Sequence, residues 1–192
     1  HTLCALGAIE DALEITVSPR VQRFRDLLNL GQFIESHALH LFCLAVPDYL
    51  GYSSVLEMAR YHPDEVGRAL EIKRIGNAIQ EMVGGRAIHP VNMIIGGLGR
   101  EPSPDVMTDL AKQLDRGQEE VLALEKFIFQ LPVPDCHLEE AIYLALRPDD
   151  AEYALRGKML AASGYDSIPV GDFRQRVHES VVGHSTAKQS HY

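Results

Sequence analysis

The sequence has few cysteines, no long apolar run and no excess of basic residues, and each shortage excludes a class of protein. Its 192 residues carry 27 acidic and 18 basic side chains, a net charge of −9. Nucleic-acid binding requires clustered Lys and Arg, so we expect no nucleic-acid partner. The longest apolar run, residues 38–47, contains a histidine and is too short to cross a bilayer, so we expect no membrane span.

The three cysteines, Cys4, Cys43 and Cys136, form no CxxC pair, and their odd number leaves one over. This pattern is typical of a reducing compartment rather than of a disulfide scaffold, so we expect a cytoplasmic protein. The chain also opens on His1, without an initiator methionine and already inside an apolar helical pattern. We interpret it as a segment of a longer protein.

Apolar periodicity predicts a mainly α protein. Repeats with a period near 3.6 residues, and prolines placed as helix-start signals, predict helices. The predicted helices cover residues 1–15, 19–46, 63–83 and 104–130. We expect residues 1–134 to form a multi-helix bundle and residues 135–192 a small α+β appendage with an antiparallel sheet, both within one larger domain.

For the first two predicted helices, the sequence also predicts which residues face the core and which face water. In the first, the apolar residues from Leu3 to Leu13 form an inner face, which leaves Glu10 towards solvent. In the second, Arg25 belongs to a side that meets water. Residues 36–47 carry no formal charge and are apolar on every face, which predicts a buried helix. We expect it to end near residue 46, because Pro47 discourages continuation.

The sequence changes character after residue 134. Short segments broken by Pro-Asp-Asp and by glycine predict strands over residues 142–147, 152–155 and 158–162. Residues 172–182 predict a return to helix.

The most distinctive stretch is residues 84–97, which glycine pairs bracket at both ends. Such pairs permit unusual backbone conformations and close approach of other groups. His89 precedes Pro90, which favours an extended conformation at the histidine, and residues 91–95 form a short apolar extended run. This loop predicts a role for His89 as a base, a ligand or an interface hydrogen-bond donor, against the alternative of a loop histidine with no chemistry.

Two further features suggest chemistry. His37, His40 and Cys43 follow an i, i+3, i+6 spacing that could ligate a metal, but core packing is favoured because no second ligand cluster accompanies them. Asp48 ends the uncharged helix, so it is either a carboxylate perturbed by burial or a turn residue in water. No local motif supports a nucleophilic triad or a phosphate-binding loop.

Three separated motifs, in the same order along the chain, resemble a known family. Residues 84–90, followed by a second glycine pair, resemble the central histidine–proline motif of the large subunit of nickel–iron hydrogenases. Residues 1–12 are similar to the stretch after the family's first CxxC pair, with His1 closing a CxxCxxxH motif. Residues 37–49 are similar to a family helix that ends in an aspartate, here Asp48, beside the metals.

The tail, residues 182–188, is similar to that of the soluble, cytoplasmic, multimeric branch of the family. The resemblance implies an oxidoreductase that cleaves hydrogen heterolytically at a nickel–iron centre. It implies that His1 hydrogen-bonds a metal-bridging cysteine sulfur and that Asp48 belongs to a polar canopy above the centre. His89, with Arg86, would face an iron–sulfur small subunit on the electron exit, and further subunits would accept the electrons.

One departure from the family limits this expectation. In the family, four cysteines in two CxxC pairs hold the metals, and residues 1–192 contain neither pair. We therefore expect no metal ligand, no nickel–iron centre and no hydrogenase activity in this segment alone. We also expect self-association, because a segment leaves apolar surface uncovered.

Two other interpretations remain. The quinone-site subunit of respiratory complex I shares the fold without the metal, but its loop typically carries His-Ala-Ala-Tyr where this chain has residues 89–92, His-Pro-Val-Asn. The other alternative is a helical interaction module without catalytic ancestry.

Overall fold

A computed structural model describes residues 1–132, 141–148 and 156–192 of the protein. In these ranges the chain is mainly helical and carries small antiparallel sheets. It divides into two compact units, His1–Pro134 and Asp135–Tyr192, which are described separately below. That both belong to one larger domain stays a prediction.

The first unit contains the long helices. Its elements are α1 (Thr2–Ala12), α2 (Pro19–Ala38), a π-helical segment (Leu39–Ala45), α3 (Val46–Leu50), α4 (Val55–Met58), α5 (Pro63–Gly84), β1 (Met93–Ile94), β2 (Gly97–Leu98) and α6 (Pro104–Ile128). The second unit contains β3 (Leu144–Arg147), β4 (Met159–Ala162), β5 (Ile168–Pro169), a 3₁₀ turn (Val170–Asp172), α7 (Phe173–Arg176), β6 (His178–Ser180) and β7 (Gln189–His191).

The helix-start signals are confirmed. The Ser18 hydroxyl caps α2 by accepting a hydrogen bond of 3.3 Å from the Val21 amide, and Pro19 is the first helical residue. Prolines also occupy the first position of α5 and of α6. This position suits proline because the first amides of a helix have no partner within the helix.

The predicted end near residue 46 is wrong. The chain passes from α2 through the π-helical segment into α3, which continues to Leu50 before Gly51 turns into the left-handed region at φ 77°. Pro47 lies in the first turn of α3, immediately after the π-helical segment, so the helical run continues past the proline.

The apolar stripe of α5 forms the centre of the first unit. As predicted, Ile72, Ile75, Ile79 and Val83 are buried. α2 packs on one side of this stripe and α6 on another, where Leu110 and Leu124 are buried. The core thus consists of three long helices, and it positions the loop that joins α5 to α6.

Two charged residues that we expected in water are buried. Glu10 of α1 and Arg25 of α2 each expose only 4% of their surface to solvent. The expected inner residues Leu3 and Leu6 do pack against the core. Glu10 lies on the same face of the helix and is buried there in an ion pair with Arg25, which is described with the candidate site. Two other expected inner residues are instead exposed, namely Ile9 of α1 and Leu13, which follows the last residue of that helix.

The uncharged stretch of residues 36–47 is buried on one face only, so the prediction of burial all round is wrong. Phe42 and Val46 belong to the core, whereas Leu39 and Leu44 are exposed. Within residues 1–132, no element covers the outer face. Met107 and Val121, predicted on the inner face of α6, are likewise half exposed.

The second unit contains a three-stranded antiparallel sheet in the order β3–β4–β5, with Leu144 opposite Ala162 and Leu160 opposite Ile168. Two of the predicted strands correspond to β3 and β4, while residues 152–155 lie outside the described residues. The predicted helix over residues 172–182 is wrong beyond α7, because β6 pairs there with β7. No helix in the described ranges is long and apolar enough to span a membrane.

Candidate subunit interface

The loop between α5 and α6, which we call the glycine loop (residues 84–97), folds back on the end of α5. The Gly84 carbonyl accepts hydrogen bonds from the amides of Val91 at 2.8 Å and Asn92 at 3.0 Å. A Cβ added to Gly84 would lie 2.8 Å from the Pro90 Cβ, so only glycine permits this approach.

The side chain of Asn92 fixes the far end of the loop. Its amide nitrogen donates to the Val83 carbonyl at 2.8 Å and to the Arg100 carbonyl at 2.7 Å. Its carbonyl oxygen accepts from the Arg100 amide at 2.8 Å. One side chain therefore ties the end of α5 to the segment that leads into α6, while β1 and β2 form a tight hairpin between them.

A buried ion pair attaches the glycine loop to α1 and α2. Both Nη atoms of Arg25 donate to the Glu10 carboxylate at 2.7 Å. The Gly96 amide donates to the same carboxylate at 2.6 Å, and Arg25 also donates to the Ile94 carbonyl at 3.1 Å. The Arg25 guanidinium, aided by the Gly96 amide, holds the pKa of Glu10 below its ordinary value despite burial.

Sequence reasoning missed this pair because helical periodicity assigns charged residues to the solvent side. A bidentate Arg–carboxylate pair has the geometry that can offset the loss of hydration for both charges. No spacing rule links Glu10 to Gly96, which lies 86 residues later in the chain.

Arg86 and His89 lie together at the outer turn of the glycine loop. Arg86 Nε donates to the His89 carbonyl at 2.6 Å, and both residues are exposed. His89 has φ 56°, so the expectation of an extended conformation is wrong. The turn that Gly84 closes imposes this left-handed backbone, which outweighs the local preference of a residue before proline.

Four aliphatic side chains of the glycine loop are exposed although its backbone is tightly held. Ile88 and Val91 keep 66% and 62% of their surface in solvent, and Ile94 and Ile95 are nearly half exposed. A rigid segment that presents clustered apolar side chains is typical of a protein-docking surface.

No family model matches the sequence. Among curated proteins, the alpha subunit of sulfhydrogenase 1 from Pyrococcus furiosus is 36% identical over all of this chain and 45% of its own length. The alpha subunit of sulfhydrogenase 2 from the same organism is also 36% identical, over 44% of its length. An F420-non-reducing hydrogenase A subunit of Methanocaldococcus jannaschii is 31% identical over 60% of this chain and 29% of its own length.

The chain belongs to the large-subunit family of the nickel–iron hydrogenases. A solved NAD⁺-reducing [NiFe]-hydrogenase in the H2-reduced state has the same fold, with a TM-score of 0.80 and 21% identity, over 90% of this chain and 43% of the solved chain. These relatives support the hydrogenase interpretation rather than the complex I subunit or the helical module. The chain spans less than half the length of the two sulfhydrogenase subunits that it matches.

The two residues that the hydrogenase resemblance places near the metals are exposed. His1 lies at the N-terminus of α1, and Asp48 lies in the first turn of α3. Asp48 is therefore not buried by residues 1–132. Within the described residues, no hydrogen bond or ion pair joins the two side chains, and their roles in a hydrogenase remain predictions.

The described residues of this hydrogenase segment offer no donor set that fits a nickel–iron centre. Among the residues that the structure describes, no group of three or more His, Cys, Asp or Glu residues is placed to hold a metal ion. His37 instead stacks on Phe33, with ring centroids 5.6 Å apart. Burial raises the pKa of the Cys43 thiol, an effect that the charge of Lys73 partly opposes, so Cys43 is a poor thiolate ligand.

An apolar groove of about 650 Å³ runs between α2, the π-helical segment, α5 and α6. Ile34, Phe42, Ile72, Val121, Leu124 and Ile128 contribute to its walls. The groove is open to solvent in residues 1–132, although its lining resembles a protein core.

Proposed function

We propose that this chain is part of the catalytic large subunit of a nickel–iron hydrogenase, an enzyme that oxidises hydrogen or reduces protons reversibly. The observation that carries the proposal is the 36% identity to a hydrogenase alpha subunit along the whole chain. In this proposal the helical unit is the bundle of a large-subunit domain, and the protein acts in the cytoplasm within a complex of several subunits.

The glycine loop is the docking site for an iron–sulfur small subunit. Its backbone is held at both ends by Asn92 and by the Glu10–Arg25 pair, so little order is lost when a partner binds. Its exposed aliphatic residues supply apolar contact area, while Arg86 and His89 supply polar contacts beside it. We assign the electron exit to this loop and the acceptor subunits to positions beyond the small subunit.

His1 and Asp48 are proposed to line the nickel–iron site of a chain of the family's full length. Both are exposed at helix starts, so both are accessible to groups supplied from outside residues 1–192. The metal ligands themselves would come from CxxC pairs that these residues do not contain. We therefore propose that residues 1–192 alone bind no nickel–iron centre and are inactive.

The apolar groove is proposed to hold the part of a family-length chain that lies outside the matched region. Its lining is apolar, and the P. furiosus relatives are more than twice as long as the matched region. In the absence of that part, we expect two copies of residues 1–192 to associate through this groove.

Nickel analysis and a hydrogen-dependent dye assay test the proposal that metal binding and activity require CxxC pairs that residues 1–192 do not contain. We expect far less than one nickel per chain and no dye reduction from purified residues 1–192. A longer chain that also carries both CxxC pairs, produced with its small subunit and maturation factors, should bind nickel and reduce the dye. Stoichiometric nickel in residues 1–192, or an inactive and nickel-free longer chain, would overturn the proposal.

A further inference from the structure

The helical run from α2 to α3 passes through the π-helical segment, Leu39–Ala45, and Pro47 follows two residues after its end. The segment closes with a hydrogen bond one residue longer than in an α-helix, because the Val46 amide donates to the Leu41 carbonyl, five residues back. Such segments are rare, and most are a single turn long. A π-helical segment of seven residues therefore needs a local cause.

The buried face of the run changes register across this segment. In an uninterrupted α-helix, a residue seven positions after a buried one returns to the same face, and a residue five positions after it lies about 140° away. Tyr49 is seven positions after the buried Phe42, yet 38% of its surface is exposed. Pro47, five positions after Phe42, is fully buried together with Val46. The buried face of α3 is therefore displaced by about one residue, or about 100°, from the face that an uninterrupted α-helix would bury.

Pro47 accounts for the wider turns before it. In an α-helix its ring would clash with the carbonyl of Cys43, four residues back, and it has no N–H to donate to that carbonyl. A wider turn moves this carbonyl away from the ring and allows the helical run to continue. The cause and the irregular segment are adjacent in the chain, as this explanation requires.

We propose that Pro47 is a positioning residue that holds residues 39–45 in the π-helical conformation and thereby turns Asp48 and Tyr49 of α3 towards solvent. Asp48 and Tyr49 are exposed, while Val46 and Pro47 on the opposite side of α3 are fully buried. The proposed role of Asp48 beside the metals would then depend on Pro47, and only this consequence rests on the proposed function.

Tryptophan fluorescence tests the register, because the chain contains no tryptophan of its own. In the variant Tyr49→Trp, the indole should be exposed and readily quenched by acrylamide. Adding Pro47→Ala gives residue 47 an N–H for the Cys43 carbonyl, so we expect residues 39–45 to become α-helical and the indole to turn inwards. Its emission should shift to the blue, and its quenching constant should fall threefold or more. Leu70→Trp, at an exposed position of α5, is the control and should not respond to Pro47→Ala.

Two further substitutions, each combined with Tyr49→Trp, separate the missing N–H from a loss of buried volume. Pro47→Val supplies an N–H at nearly the same volume and should move the indole as Pro47→Ala does. Val46→Ala removes volume beside an intact proline and should leave the indole exposed. The proposal would be overturned if the indole stayed exposed in both Pro47 variants, if Val46→Ala moved it equally, or if both Pro47 variants unfolded α5 and α6. None of these results depends on a metal or a partner, so each leaves the nickel test of the proposed function unaffected.

Discussion

Gly76 of α5 lies directly against the backbone of Glu35 in α2. A Cβ added to Gly76 would stand 2.5 Å from the Glu35 amide nitrogen and 2.8 Å from the Gly31 carbonyl oxygen. Backbone atoms cannot move aside as a flexible side chain can. The closest contact between the two central helices therefore depends on the absence of a side chain at this position.

Replacing Gly76 with alanine should separate α2 from α5. We expect Gly76→Ala to lower the free energy of unfolding by about 2–3 kcal/mol, measured by urea denaturation, because the added methyl group overpacks a backbone contact. Gly67 provides a control within the same helix, since a Cβ there would meet nothing within 4 Å. Gly67→Ala should raise the free energy by about 0.5–1 kcal/mol. Equal effects of the two substitutions would contradict the packing described here.

The Glu10–Arg25 pair should make stability depend on pH in the acid range. Because Arg25 and the Gly96 amide hold the pKa of Glu10 below its ordinary value of 4.5 in the folded protein, the ionised carboxylate stabilises the fold. That contribution is fully present above pH 4.5 and is lost as the pH falls below it towards the lowered folded pKa.

Glu10→Gln should therefore lower the free energy of unfolding by about 3–5 kcal/mol at neutral pH, because it leaves Arg25 buried without its counter-charge. The difference from the wild type should shrink as the pH falls below 4.5, because protonation removes the charge of Glu10 in the wild type as well. Glu101→Gln breaks only the exposed pair with Arg20 and should have a smaller effect that added salt removes. If the difference in the free energy of unfolding between Glu10→Gln and the wild type did not change with pH, the stabilising role of the ionised Glu10 would be contradicted.

Removing the Asn92 side chain should loosen the glycine loop. Asn92→Ala abolishes three hydrogen bonds of 2.7–2.8 Å, and we expect a loss of roughly 1–3 kcal/mol of local stability. Trypsin should then cleave after Arg86 several times faster than in the wild type. Cleavage after Arg116, within α6, is the internal reference and should keep its rate. Equal acceleration at both sites would indicate global rather than local loosening.

Substitutions at two valines of α6 distinguish self-association through the apolar groove from non-specific association of exposed apolar residues. Val121 lines the groove and Val106 does not, yet their exposed fractions are 50% and 49%. We expect light scattering after size exclusion to show a dimer or larger species for the wild type and for Val106→Asp. Val121→Asp should be monomeric. A wild type that is monomeric at all concentrations would contradict the expectation.

Much of the helical framework could be predicted from the sequence because its signals are local. Proline and serine at helix starts, and the apolar stripe of α5, act within one or two turns of chain. The resemblance to hydrogenases depended on short motifs around His1, Asp48 and His89, and the relatives confirm the family. Their individual roles could not be tested in the same way, since the groups they would meet lie outside these residues.

The features that sequence reasoning missed depend on distant contacts. Glu10 and Arg25 are buried because they pair with each other and bind the backbone of the glycine loop. The periodicity of the sequence contains no information about these contacts. His89 adopts a left-handed backbone because hydrogen bonds across the loop outweigh its preference before proline. The outer face of residues 36–47 is exposed although its side chains are apolar. An apolar pattern shows that a helix can be buried on a face, but residues 1–132 supply no neighbour for this one.

The most direct test of the account is the affinity of an iron–sulfur small subunit for a chain altered at the tip of the glycine loop. Ile88 and Val91 are the most exposed aliphatic residues of the loop, and neither side chain supports its backbone network. Leu70, an exposed leucine of α5, lies 14 residues before Gly84, about 21 Å away along the helix. We predict that the double substitution Ile88→Asp and Val91→Asp raises the dissociation constant at least tenfold, while Leu70→Asp leaves it unchanged. Equal affinity of the wild type and the double variant would contradict the assignment of this loop as the subunit interface.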